Sequence, residues 1–232
     1  MKPRNEFDRH SRRDAIGLIA VTASGAFLAA ALRPAAAQSL ISGAGVCRLM
    51  PETTAGPFYF DPRLRRSEIT EGRAGVPLTA RFQIVSADCR PLAGARLDIW
   101  HCDAQGVYSG YPGQPGGLDT SGQTFMRGTQ FAGADGIVTF STIYPGWYPG
   151  RSPHIHFAAI IDDRVQVTGQ MFFPDDLSRD IYSTIPPYDE RPVSGAVFND
   201  RDGIARRAGR TALADMARAG ERLQSALVIA IG

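Results

Sequence analysis

The sequence predicts an all-β protein, an antiparallel β-sandwich with short helices and long loops. Residues 77–85, "PLTARFQIV", alternate Leu78, Ala80, Phe82 and Ile84 with Thr79, Arg81 and Gln83, the period of two of a strand with one buried face. Similar short runs recur along the chain, separated by Gly, Pro and Asp clusters. With 25 Gly and 16 Pro in 232 residues, long helices have little room, and regularly spaced short strands make a sandwich the natural class.

Residues 1–37 read as an export signal. A charged start is followed by the apolar "AIGLIAVTASGAFLAAAL" and then "RPAAAQS", with cleavage expected after Ala37. The "SRR" of Ser11–Arg13 resembles a twin-arginine signal, although Ala15 stands where a large apolar residue is usual. The 18 residues from Ala15 to Leu32 are long enough for an anchor helix, but their Gly, Thr and Ser favour a cleaved signal. The expected destination is periplasmic or extracellular, with no stable membrane partner after export. Residues 38–60 are expected to run as an arm over the surface, and residues 61–232 as a single sandwich domain.

Beyond 77–85, strands are expected at 95–102 ("ARLDIWHC"), 136–142 ("GIVTFST"), 154–161 ("HIHFAAII") and 165–173 ("VQVTGQMFF"). The "DDR" at 162–164 is short enough for a hairpin between the last two. Helical pattern is confined to 175–182 and 210–217. The body after the leader has 19 basic and 20 acidic residues, a formal charge of −1, which gives no electrostatic case for nucleic acid or an anionic membrane as partner. Nothing in the pattern specifies an oligomeric state.

Three cysteines permit one disulfide and one free thiol. Cys47 and Cys89 fall in loop-like sequence, which makes them the expected pair. Cys102 ends an apolar run and reads as a buried thiol.

The chemistry gathers in "WYPGRSPHIHF", residues 147–157. On a strand, residues two apart face the same way, so His154 and His156 project together with Cβ atoms roughly 6–7 Å apart. An H-x-H pair can equally be a polar face. Against that, only three histidines follow the leader, His101, His154 and His156, and two of them share this face. No Cys, Asp or Glu lies in the ten residues before His154, so the common zinc sets are not completed locally. Tyrosines are present instead: Tyr148, and Tyr108 and Tyr111 in "DAQGVYSGY". A phenolate is a hard anionic donor that suits ferric iron, and only a strongly charged cation makes it accessible at neutral pH. Two tyrosinates and a hydroxide would leave such an ion formally neutral, which suits a partly apolar pocket.

The strings "LDIWHCDAQGVYSGY", "FMRGTQFAGADGIVTFSTIYPGWYPGRSPHIHF" and "GQMFF" resemble the intradiol ring-cleavage dioxygenases, the family of catechol and protocatechuate dioxygenases, in its exported single-domain branch. The likeness covers nearly all of residues 47–200. It implies the family's β-sandwich and an Fe(3+) cofactor held by Tyr108, Tyr148, His154 and His156. Arg151 corresponds to an active-site arginine beside the substrate ring, and Gln170 to a glutamine behind the ligands. Tyr59, in "TTAGPFYF", falls on a segment near the mouth of the site and is a candidate for substrate contact or for aromatic packing. Tyr148 is also the tyrosine implied to act during turnover. The implied reaction cleaves a catechol-type diol with O₂ between its hydroxylated carbons, giving a cis,cis-muconate-type diacid. A short Tyr148–His154 segment, and the lack of room for the helical dimerisation region of catechol enzymes, leave the substrate's identity outside that inference.

Two other classes compete. One is a secreted noncatalytic sandwich that binds a ligand at its mouth. The other is a zinc or copper enzyme built on His101, His154 and His156, but His101 shares strand parity with Leu97 and Ile99 and so is expected to be buried and hydrogen-bonded. Tyr111 and Tyr144 read as packing residues, Trp100 as core and Trp147 as pocket wall.

Overall fold

The structure is a computed structural model that describes residue 40, residues 47–61 and residues 63–232. The leader, with its twin-arginine reading and the cleavage after Ala37, lies outside the described residues.

Eight strands form two four-stranded sheets. The first has β1 (Pro77–Ser86), β4 (Ile137–Ile143), β7 (Asp215–Ala219) and β8 (Arg222–Ile231), in the order β4-β1-β8-β7. The second has β2 (Arg96–Trp100), β3 (Arg127–Phe131), β5 (His154–Ile161) and β6 (Arg164–Phe172), in the order β3-β2-β5-β6. All pairs are antiparallel except β1 with β8, which run parallel from Leu78↔Leu223 to Ser86↔Ile231. Two short helices follow the second sheet, α1 (Asp175–Thr184) and α2 (Gly203–Ala208). Among the described residues no helix is long and apolar enough to cross a membrane.

The alternation read in 78–84 is the reason for the core. Leu78, Ala80, Phe82 and Ile84 are all fully buried, and they meet Leu97, Ile99, Ile155 and Phe157 from the facing sheet. Phe82 lies 6.0 Å from Phe157 across the two layers and 6.5 Å from Phe140 on the neighbouring strand. The Phe157 ring folds over Gly169, its register partner on β6, where any side chain would collide with it. The β5–β6 hairpin turns on Asp162 and Asp163, both with positive φ, the type I′ geometry that matches strand twist.

Helix α1 covers the expected 175–182 and opens on Asp175 and Asp176, whose charges suit a helix N-terminus. The helical expectation at 210–217 holds only for residues 210–212, within the 3-10 helix Gly209–Ala212, and fails for the rest. Helix α2 lies earlier, begins on the Asp202 cap and stops at Gly209, which has φ +64. A short 3-10 turn follows, and residues 215–219 are drawn into strand β7 by pairing with β8, so tertiary pairing overrides the helix-forming Ala, Met and Arg content. Strands β3, β7 and β8 had no counterpart in the sequence expectations.

Cys47 and Cys89 are disulfide-bonded, with Cα atoms 5.4 Å apart, and Cys102 is a free buried thiol. The described arm residues 47–60 are exposed or half-buried except Met50, and backbone bonds tie them to the sheets. Thr53 N donates to Thr168 O (2.8 Å), Met50 N donates to Ala230 O (2.9 Å), and residues 56–60 lean on the outer face of the second sheet.

Candidate metal centre

Strand β5 is buried on both faces. Ile155, Phe157 and Ala159 point into the core, while His154, His156 and Ala158 point to the outer face of the second sheet. Strand register sets four residues abreast on that face: Arg127, Trp100, His156 and Gln170, one from each of β3, β2, β5 and β6.

Two turns deliver the tyrosines. In "DAQGV", Asp103 Oδ1 accepts from Gln105 N and Val107 N, each at 3.0 Å, and Gly106 takes φ +78, so the chain leaving β2 folds back and presents Tyr108. Tyr108 is then pinned by Gln114 Oε1 on its N–H (2.8 Å) and by the Thr120 hydroxyl on its carbonyl (2.6 Å). In "YPGR", Arg151 N donates to Tyr148 O (3.3 Å) around Pro149 and Gly150, which has φ +84. Pro then Gly at these positions suits a type II turn, and it sets Tyr148 beside Arg151.

Tyr108, His154 and His156, all buried, and the half-buried Tyr148 meet in one cluster. The Nε2 atoms of His154 and His156 are 3.0 Å apart, and the Tyr148 hydroxyl lies 3.1 Å from His154 Nε2. The rings of Tyr108 and Tyr148 are 5.6 Å apart, and those of Tyr108 and His156 6.4 Å. His154 donates from Nδ1 to the Ser152 carbonyl (2.5 Å), because a carbonyl can only accept, and its Nε2 is therefore a bare lone pair. The Tyr108 hydroxyl is buried and makes no hydrogen bond of good geometry within the protein, although the Tyr148 phenol is beside it. A buried polar atom without a partner is costly, and a cation bound beside it would offset that cost.

Electrostatics point the same way. Burial, then the Arg151 charge, holds His154 down to about 3, and burial together with His154 and Arg151 holds His156 well below the usual range. Both imidazoles are therefore neutral and carry free lone pairs. Burial pushes Tyr148 up to about 12 against the pull of Arg151, and burial reinforced by Tyr148 raises Tyr108 well above the ordinary phenol. Neither phenol ionises unaided at neutral pH.

Among the described residues, no three His, Cys, Asp or Glu side chains are grouped to hold a metal ion, and the further donors beside the two histidines are the tyrosine oxygens. His101 is fully buried and commits both nitrogens, Nδ1 to Cys102 O and Nε2 to Thr142 Oγ1, each at 2.8 Å, which removes it from the cluster.

Around the four lie residues of both kinds, expected and unexpected. Arg151 donates through Nε to Asp202 (2.9 Å) and through a terminal nitrogen to Gln170 Oε1, so it makes a part-buried ion pair and still borders the cluster. Gln170 Nε2 donates to Thr54 O (2.9 Å), tying the arm to the site. The Tyr59 hydroxyl is bonded to Asp98 Oδ2 (2.9 Å) and its ring packs on Trp100, the packing alternative of the two expected for it. Phe58 is the arm residue stacked on Tyr108, with ring centres 4.4 Å apart and planes 22° apart. Gly56, with φ +66, lies so close to His156 that even a methyl group there would sit 3.4 Å from its ring. Tyr111 donates its hydroxyl to Tyr59 O (2.9 Å), and Tyr144 shares a bond with Ser178 (2.6 Å), both packing roles.

The two tryptophans exchange their expected places. Trp100 has the parity opposite to Leu97 and Ile99, so it stands on the site face, stacked on His156 at 4.9 Å with planes 5° apart. Trp147 packs in the core beneath Arg191, whose guanidinium is 4.0 Å from its ring centre.

Fold and site together define a β-sandwich protein with a largely buried two-histidine, two-tyrosine cluster on the outside of one sheet. Residues 56–186, more than half of the chain, match the family model described as Dioxygenase. An intradiol ring-cleavage dioxygenase from Tetranychus urticae superposes with a TM-score of 0.73 at 34% identity, over 80% of this chain and 95% of that one. The dioxygenase domain of a dioxygenase carbohydrate-binding protein fusion from Streptomyces sp. SirexAA-E gives 0.60 at 28% identity, over 79% and 98%. Catechol 1,2-dioxygenase 1 of Acinetobacter lwoffii is 26% identical over 149 residues, 54% of this chain and 47% of that protein. The chain belongs to the intradiol ring-cleavage dioxygenase family. It spans about half the length of the curated relatives it matches.

Proposed function

We propose that this protein is a ferric intradiol dioxygenase that cleaves a catechol-type diol with O₂, its iron held by Tyr108, Tyr148, His154 and His156. The observation that carries the reading is the convergence of two neutral imidazoles and two phenols in a largely buried cluster, with the Tyr108 hydroxyl left without a hydrogen bond. Two neutral nitrogens and two anionic oxygens suit a hard trivalent cation better than zinc or copper(I). Bound there, the ion supplies the positive charge that makes phenol and diol deprotonation favourable, together with the redox chemistry toward O₂.

The protein's own part follows from placement. Tyr148 is the least enclosed of the four and sits on a turn, whereas Tyr108 is fully enclosed and pinned on both backbone sides. Tyr148 is thus the group suited to swing. Burial makes its phenolate a strong base, able to take a diol proton at Oη. Arg151, steadied by Asp202 and Gln170, places a positive charge where negative charge builds on the substrate ring. Trp100 and Phe58 wall the cluster with aromatic surface and exclude water from its flanks.

Export belongs to the same reading. It is supported by the Cys47–Cys89 bond, since disulfides persist in oxidising compartments. The test of the activity is oxygen uptake by the iron-loaded protein with a panel of catechols, with the product identified by mass. A ring-opened diacid carrying both atoms of ¹⁸O₂ is expected, and an absence of uptake across the panel contradicts the reading.

A further inference from the structure

Asp202 lies outside the residues matched by the family model and carries none of the motifs that mark the site, yet two of its contacts reach into it. It is 2% exposed. Its Oδ1 accepts from Ile204 N (2.7 Å) and Ala205 N (3.3 Å), capping α2. Its Oδ2 accepts from Arg151 Nε and from Ser152 N, each at 2.9 Å. Three residues earlier, Asn199 accepts the Ser152 hydroxyl on Oδ1 (2.5 Å) and is anchored by donating to Phe173 O (2.7 Å). The Ser152 carbonyl in turn receives the Nδ1 proton of His154.

A helix cap explains only one of the two oxygens, and Asn or Ser would serve that role as well. The other oxygen holds a guanidinium and a peptide that both belong to the site. A carboxylate this deeply buried is tolerable only when fully paired, and the pairs it has chosen lie on the 151–154 segment.

We propose that Asp202 is a positioning residue for the reaction, acting through Arg151: it holds the guanidinium against Gln170, beside the histidines. This rests on the activity proposed above. Arg151 has too many rotatable bonds to keep one orientation alone, and Asp202 together with Gln170 grips it from two sides.

The test is a double-mutant cycle on iron-saturated protein. Asp202→Asn keeps the size and, with its one acceptor oxygen on the helix cap, turns an amide NH2 toward Arg151 and so releases it, and Asp202→Ser repeats the measurement with another good cap that does not reach Arg151. Asp202→Asn is expected to lose on the order of 10- to 100-fold in kcat per folded, iron-loaded protein, with a smaller change in KM. In an Arg151→Gln background the same substitution is expected to change kcat by less than about threefold, because its intermediary is already gone. Wild-type kcat in both Asp202 variants, or penalties that multiply in the double variant, overturn the proposal while leaving the activity standing. A wild-type protein without turnover overturns the activity and takes this inference with it.

Discussion

The two faces of strand β5 are made from alternate residues of the same eight-residue segment, and they obey opposite rules. On the core face Ile155, Phe157 and Ala159 are buried among apolar neighbours, with no polar atom to satisfy. On the outer face His154 and His156 are equally buried, yet His156 Nδ1, the nearby Tyr108 hydroxyl and the Trp100 Nε1 make no hydrogen bond within the protein. The first face supplies stability, and the second keeps polar atoms dry at a cost that a cation bound at the Tyr108 hydroxyl would offset there. Burial alone therefore does not mark a core.

Substitutions on the two faces should separate iron binding from folding. The largest effect is expected for His154→Ala, which should lose its iron and fall below detectable turnover while melting close to the metal-free wild type. Its counterpart on the core face, Phe157→Ala, should cost about 3–5 kcal/mol in denaturant unfolding, with the folded fraction still taking up iron. Equal losses of stability in both variants would erase the distinction between the faces.

A smaller effect is expected from acid. Burial holds His101 down from its ordinary 6.5 to about 4, so between those values the unfolded chain takes up a proton that the folded chain refuses. Stability should fall as pH is lowered from about 6.5 to about 4, and His101→Gln should flatten that limb in unfolding titrations. His154 and His156 push in the same direction. The smallest effect is expected for Phe58→Ala, which removes a stacked ring worth about 1 kcal/mol and should shift the tyrosinate absorption of the iron-loaded protein more visibly than its melting temperature.

Legibility in the sequence follows the same division. Strands β1, β2, β4, β5 and β6 showed themselves because apolar residues recur with a period of two or run on continuously, and the His154–His156 pair showed itself because strand parity is local. Strand β8 has the same alternation at Leu223, Leu227 and Ile229, but Ser225 interrupts it and Ala and Gln residues blur it. Strand β7 is an exposed edge with no buried face to leave a pattern, and β3 is short and polar. Trp100, Phe58 and Asp202 were misread or missed for another reason. Their roles come from contacts that close only in three dimensions: the arm on the sheet, and the turn ahead of α2 on the 151–154 segment.

The most direct measurement is metal analysis of the purified protein read beside its visible spectrum, for wild type and Tyr148→Phe. The account predicts about one iron per chain with a broad phenolate-to-iron absorption, weakened but not abolished in the variant, which keeps Tyr108. Zinc or copper in place of iron, or an iron protein whose colour is untouched by the loss of Tyr148, would contradict it.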